Sequence, residues 1–164
     1  MITIEAYTEA VRDHLKKHSE CLIDEIKKTL QFPFDEKVEL VDFTAFVQPY
    51  ELSITMFSME RSGNEVFPEE GSGLFAGSCE VLEDAEYYCV PDEDRDEFEA
   101  FSEQNSEALS KIETEEVTAW FASCWNEAGG SRTRLPAYFS FHDCDPCFDL
   151  HKGKWISDGD KWYS

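Results

Sequence analysis

Basic residues are scarce in this sequence, which has 14 Lys and Arg against 36 Asp and Glu and a net charge of −22. This deficit argues against direct binding to nucleic acid or anionic lipid, because the chain would repel both. More than half of the imbalance lies in residues 80–116, where fifteen acids and two bases give a net charge of −13. We expect this segment to attract a basic protein in a salt-sensitive manner. The alternative is that the acidity only keeps the protein soluble.

Long apolar runs are also absent. No run approaches the ~18 residues that a membrane-spanning helix needs, and no apolar signal-peptide segment follows the N-terminus. We therefore expect a cytoplasmic protein. In that compartment the six Cys are expected to be thiols or metal ligands rather than disulfides. Cys21, Cys79, Cys89 and Cys124 lie in mostly apolar stretches, which favours their burial as small hydrophobic side chains.

Internal repeats and domain linkers are missing as well, so a single domain over residues 1–164 is predicted. Hydrophobic residues make up 41% of the chain, which is too many for a disordered protein despite the charge. The thirteen Phe, six Tyr and four Trp are predicted to build the core. Aromatic side chains bury the most area per residue, so they suit this role.

Hydrophobic periodicity predicts the elements of the first half of the chain. Residues 4–30 repeat apolar side chains three, four or seven apart and are predicted as a long helix, with a break near Ser19 left open. Alternating side chains predict strands over residues 38–48 and 52–59. The turn that follows favours the start of a third strand at residues 65–67.

The second half is predicted to hold two helices and further strands. Residues 79–90 fit either a helix or a strand. A helix is expected over residues 92–111, and another from Thr114 to the glycines at 129–130. Shorter strands are expected at residues 136–142, 148–151 and 155–156, with residues 162–163 as a further candidate.

These elements predict an α+β fold. We expect an antiparallel sheet with the long N-terminal helix and the two later helices packed on one of its faces.

The acidic segment is the best candidate for a functional surface. Its helix has only a thin apolar stripe, so most of its carboxylates must face water. Early acids also suit a helix N-terminus, where the helix dipole favours negative charge. The predicted partner-binding residues are Asp92, Glu93, Asp94, Asp96, Glu97, Glu99 and Glu103.

A compact group of thiols and imidazoles forms the candidate metal site. His142, Cys144, Cys147 and His151 lie within ten residues and have the ligand types of a tetrahedral zinc site. Structural zinc sites usually take their second pair of ligands from a separate segment, so the alternative is a hairpin whose turn contains two Cys. A thiol enzyme is the related possibility, with Cys144 or Cys124 as nucleophile, His142 as base and Asp143 or Asp145 as the orienting carboxylate.

In general style the chain resembles small, acidic, single-domain bacterial proteins, a number of which are immunity proteins for secreted toxins. The resemblance lies in the N-terminal helix, the strand pair ending at Phe57-Ser58-Met59-Glu60, and the closing stretch of residues 120–150. It implies a non-enzymatic protein that neutralises a basic toxin or nucleic-acid enzyme. The alternatives are a zinc-binding or thiol-dependent enzyme that uses residues 142–151, and a structural subunit of a larger assembly.

Overall fold

The computed structural model describes residues 1–162, which contain four α-helices and six strands. The helices are α1 (Ile4–Lys17), α2 (Ser19–Leu30), α3 (Arg95–Gln104) and α4 (Ser106–Glu127). The strands are β1 (Leu40–Gln48), β2 (Glu51–Met59), β3 (Ser78–Glu86), β4 (Ala137–Phe141), β5 (Cys147–Asp149) and β6 (Lys154–Ile156). Short 3-10 turns occupy Asp92–Asp94, Gly130–Arg132 and Asp158–Trp162. The predicted α+β fold is confirmed.

All six strands join one sheet in the order β3-β2-β1-β4-β5-β6. Neighbouring strands are antiparallel except β1 and β4, which run parallel with Val41 opposite Ala137. The prediction of an antiparallel sheet therefore holds for four of the five pairs. A parallel pair needs a long crossover connection, and α3 and α4 lie in the chain between these two strands.

The N-terminal helix is shorter than predicted, because the helical segment breaks at His18 into α1 and α2 of 14 and 12 residues. The His18 backbone N–H closes α1 by donating to the Leu15 carbonyl at 3.0 Å. Leu15 and Leu22 are both buried, one on each side of the break. The two helices therefore bury parts of the same apolar stripe.

The boundary between the two later helices was placed wrongly by sequence. The break lies at Asn105, and α4 runs uninterrupted through Thr114 to Glu127. The Asn105 amide donates to the Phe101 carbonyl at 2.8 Å, and its backbone N–H donates to the same oxygen at 3.1 Å. Asn side chains compete in this way for backbone groups, which favours a helix end.

The segment over residues 79–90, which sequence left ambiguous, contains β3, antiparallel to β2. The stretch at residues 65–67 contributes only a single bridge, from Glu65 to Met59. Trp162 lies in a 3-10 turn rather than in a strand, and residue 163 is outside the described part of the chain.

The main core lies between the helices and one face of the sheet, as predicted. The Phe121 ring of α4 lies 5.0 Å from the Phe43 ring and 4.6 Å from the Phe139 ring, so it bridges β1 and β4. A smaller cluster of Leu40, Tyr138 and Cys147 is buried separately. No helix within residues 1–162 is long and apolar enough to cross a membrane.

The cysteines are less buried than their sequence neighbours suggested. All six are free thiols. Of the four expected to be buried, only Cys124 is, while Cys79 is half-buried and Cys21 and Cys89 are exposed. Cys21 lies on α2 beside the buried Leu22, and Cys89 follows β3 outside any helix or strand, so apolar neighbours in sequence do not bury either thiol.

We expect Gly130→Ala to destabilise the fold by about 1–3 kcal/mol, the usual cost of overpacking. A Cβ at this position would lie 2.1 Å from Cε2 of the Trp125 ring, which is fully buried and has little room to move. Urea denaturation of the variant measures the loss. Gly159→Ala is the control, because the nearest atom to its added Cβ would be the Ser157 hydroxyl oxygen at 4.0 Å. Equal midpoints for the two variants would contradict this account of the packing.

Candidate functional site

The seven predicted partner-binding acids lie on the 3-10 turn Asp92–Asp94 and on α3, and we call them the acidic surface. Six of the seven are exposed, and Asp94 is half-buried. Asp96, Glu99 and Glu103 follow one another at spacings of three and four residues, so they share one face of α3. This places three carboxylates in a row along the helix.

Few cations neutralise this surface. Asp92 pairs with Arg95 at 2.6 Å, and Glu97 lies 3.6 Å from the amino group of Met1. Among residues 1–162, the other five carboxylates form no ion pair. Their charge therefore faces solvent, where an approaching basic molecule meets it.

An aromatic cluster holds α3 on the protein. Phe98 is the only residue of α3 that is fully buried. Its ring lies 5.1 Å from the Tyr88 ring and 5.5 Å from the Tyr50 ring, and Tyr88 also contacts Tyr7 of α1 at 4.7 Å. Aromatic pairs at these distances add stability beyond their buried area.

A cavity of about 430 Å³ opens beside this cluster, and we call it the aromatic pocket. Tyr50 and Tyr88, both half-buried, line it together with Phe98. Burial raises the pKa of both tyrosines, so their hydroxyls stay protonated at neutral pH. Three exposed carboxylates and one base complete the charged part of the lining: Glu51, Glu86, Glu99 and Arg95.

The chemistry of this pocket suits a cation. Aromatic faces attract a guanidinium or ammonium group, and nearby carboxylates add direct charge attraction. The Arg95 guanidinium is already engaged, because its Nη2 donates to Asp92. Glu99 belongs both to the pocket and to the acidic surface, so the two regions are continuous.

The candidate metal ligands are dispersed. Cys147 is buried against Leu40 and Tyr138, and this burial raises the pKa of its thiol to about 12. The His151 ring lies edge-on to Trp125 at 4.9 Å, with Nε2 bonded to the Leu135 carbonyl at 2.9 Å. No group of three or more His, Cys, Asp or Glu side chains within residues 1–162 could hold a metal ion. Zinc binding by His142, Cys144, Cys147 and His151 stays a prediction.

Two of those four residues do share a cavity. His142 and Cys144 line a space of about 380 Å³ together with Glu113 of α4. The Tyr87 hydroxyl donates to Glu113 Oε2 at 2.5 Å. Burial raises the pKa of Glu113, and this hydrogen bond offsets part of the rise.

Sequence reasoning missed Glu113, although a signal for it exists. It stands four residues after Leu109 and four before Val117, both of which are buried. A carboxylate at that spacing falls on the inward face of its helix.

We expect Glu113→Gln to stabilise the protein at neutral pH. Since burial holds the pKa of Glu113 above its ordinary value of 4.5, the charged carboxylate costs stability as pH rises through its folded-state pKa. Gln keeps an oxygen for the Tyr87 hydroxyl and never ionises. The gain should therefore be largest at neutral pH, shrink as pH falls towards 4.5, and be lost below that value, where the carboxyl is protonated in both the folded and the unfolded state.

Urea denaturation between pH 4 and pH 7 measures this difference. Glu107→Gln is the control, because Glu107 is exposed on the same helix. A gain that does not change with pH would show that ionisation of Glu113 is not its cause.

Thiol reactivity should follow exposure. We expect Cys21, Cys89 and Cys144 to react rapidly with Ellman's reagent in the folded protein, because they are exposed. Cys124 and Cys147 should react only after unfolding, since they are buried and their thiol pKa values are raised to about 11 and about 12. Cys144→Ser should remove one equivalent from the fast phase.

The same assay tests the zinc prediction. Protection of Cys144 by added zinc would support a metal site in this region, and the same rate with and without zinc would count against it.

Comparisons with known proteins found no match to this chain among protein-family models, curated proteins or solved structures. The assignment of a function therefore depends on the geometry and charge of the sites themselves.

Proposed function

We propose that this chain is a non-enzymatic binding protein that neutralises a basic partner through the acidic surface. The partner class is a toxin or a nucleic-acid enzyme, so the protein would act as an immunity protein or inhibitor. The observation that carries this proposal is the set of five carboxylates on residues 92–103 that no cation of the described chain neutralises.

Electrostatics favours this use of the acidic surface. Like charges kept close together on one helix repel one another, and a basic partner relieves that repulsion. Complementary charge also steers encounter and can raise association rates by roughly 10- to 1,000-fold. Enzymes that bind nucleic acid hold phosphates with Lys and Arg, so a row of carboxylates can cover the same groups.

The aromatic pocket supplies binding affinity beyond that of the charged groups alone. Exposed ion pairs contribute little affinity, typically about 1 kcal/mol or less. Tight interfaces instead depend on a few anchors, among which Arg and aromatic residues are enriched. An Arg or Lys of the partner would pack against Tyr50 and Tyr88, whose rings contact each other at 5.6 Å, with Glu99 as its counterion.

The cellular setting belongs to this proposal as well. We propose a bacterial protein of the cytoplasm, where thiols stay reduced. The six free cysteines support that placement. An immunity protein would meet its toxin in the same compartment.

The zinc-binding or thiol-enzyme alternative has one observation in its favour. His142 and Cys144 line one cavity with the half-buried Glu113, which is a set of groups capable of acid–base chemistry. Cys147 and His151 do not line that cavity, so the evidence for this alternative is weaker than for the binding protein.

Charge reversal on one face of α3 tests the proposal. The partner is first captured from the host lysate on the tagged chain, with nuclease present, and then purified. The triple variant Asp96→Lys, Glu99→Lys and Glu103→Lys should bind it at least about 100-fold more weakly at low salt, because each reversal removes one attraction and adds one repulsion, each of up to about 1 kcal/mol. Isothermal titration calorimetry measures the affinity, and the difference should narrow at high salt.

The matched control reverses three exposed acids of α1 and α2, namely Glu9→Lys, Asp13→Lys and Glu20→Lys. It makes the same change in net charge away from the acidic surface. If both triple variants lose affinity equally, net charge rather than the acidic surface governs binding, and the proposed interface is wrong.

A further inference from the structure

A third cavity carries the opposite charge to the aromatic pocket. It encloses about 350 Å³, and Arg61, Arg134 and Lys152 line it together with Thr133 and His151. We call it the basic pocket. The whole chain has only 14 Lys and Arg against 36 Asp and Glu, so three of these cations around one cavity are a marked local concentration.

The three cations of the basic pocket lack ion-pair partners in the described part of the chain. Several bases elsewhere do pair with acids, as Arg12 does with Glu116 at 2.8 Å and Lys37 with Glu69 at 2.9 Å. Arg61, Arg134 and Lys152 form no such ion pair among residues 1–162. Positive charges that converge without counterions repel one another, so an anion bound between them would be stabilising.

One carboxylate also lines the basic pocket, but it is engaged in holding the turn. Asp149 is buried, and its Oδ1 accepts the backbone N–H groups of His151 and Lys152 at 3.1 and 3.0 Å. These hydrogen bonds fix the backbone of the turn that joins β5 to β6, in which Lys152 lies. They leave the ammonium group of Lys152 free of that carboxylate.

Further contacts hold the lining in place. Arg61 is half-buried, and its Nη1 donates to the Lys161 carbonyl at 3.3 Å. The His151 ring is fixed between the Trp125 edge and the Leu135 carbonyl. A carbonyl oxygen only accepts, so His151 Nε2 carries the proton in this contact. Two of the pocket's nitrogen-bearing side chains are thus oriented before any ligand arrives.

We infer that the basic pocket binds the phosphate group of a small phosphomonoester. Guanidinium groups bind phosphate through paired hydrogen bonds, and Lys adds a point charge. Three permanent positive charges, partly offset by the one negative charge of Asp149, leave a positive lining that suits a dianionic phosphate better than a singly charged carboxylate ligand. The volume lies within the range of small-molecule sites and exceeds that of phosphate alone, which leaves space for the rest of the ester.

The strongly negative net charge does not exclude this site. At an ionic strength of 0.1 M, charges farther than roughly 10 Å apart are largely screened. The anion would therefore respond mainly to the cations that surround it. This inference does not depend on the proposed function, because it concerns different residues and the opposite charge.

Titration of the full chain with glucose 6-phosphate in 0.1 M NaCl tests this inference, with glucose as the uncharged control ligand. Backbone amide resonances in two-dimensional NMR spectra report both the affinity and the place of binding. We expect saturable shifts at Arg61, Arg134 and Lys152 with glucose 6-phosphate and none with glucose. Arg134→Gln should weaken binding at least about tenfold, as loss of a charge-assisted hydrogen bond predicts.

Arg132→Gln is the matched control, since Arg132 is exposed two residues away and does not line the pocket. It should bind as the unmodified chain does. Lys152→Gln provides a second pocket variant if Arg134→Gln does not fold, as judged by circular dichroism. The absence of saturable shifts at the pocket, or an equal loss of affinity in the Arg132 and Arg134 variants, would overturn the inference.

Discussion

The packing of Phe121 against Phe43 and Phe139 is the contact on which the rest of the structure depends. It joins α4 to β1 and β4, the two central strands of the sheet. The same helix holds α1 through the Arg12–Glu116 ion pair and α2 through the hydrogen bond from Trp120 to Ser19. Glu113 and Trp125 also belong to α4. Glu113 lines one cavity, and Trp125 contacts His151, which lines the basic pocket. The cavity lined by Glu113 and the basic pocket therefore both depend on the position of α4.

Charge is divided between two regions of this scaffold. The 3-10 turn and α3 carry the acidic surface, and α3 is attached mainly through the buried Phe98, so most of its side chains face water. Arg61, Arg134 and Lys152 gather instead around the basic pocket. The net charge alone would suggest a uniformly negative protein surface. The structure instead offers one region to a cation and another to an anion, which makes the two proposals separable by experiment.

Sequence predicted the local features better than the long-range ones. Alternation located β1 and β2 to within two residues. The buried residues of β2 alternate along the strand, whereas residues 40–43 of β1 are buried on both faces. The break at His18 left no trace in the pattern, since Leu15 and Leu22 are seven apart and fit a continuous helix equally well. The parallel pairing of β1 with β4 joins residues nearly a hundred positions apart, beyond what periodicity reports. The acids of α3 were identified from the composition of one segment. The aromatic pocket could not be identified in this way, because its aromatic residues come from three separate segments of the chain.

Hydrogen–deuterium exchange with the captured partner tests the central claim most directly, because it locates the interface without altering the protein. The proposed function predicts slower amide exchange in α3 and in the segments that carry Tyr50 and Tyr88. Exchange in β5, in β6 and around the basic pocket should be unchanged. Protection confined to those last segments, with α3 exchanging as in the free protein, would contradict the claim that the acidic surface binds the partner.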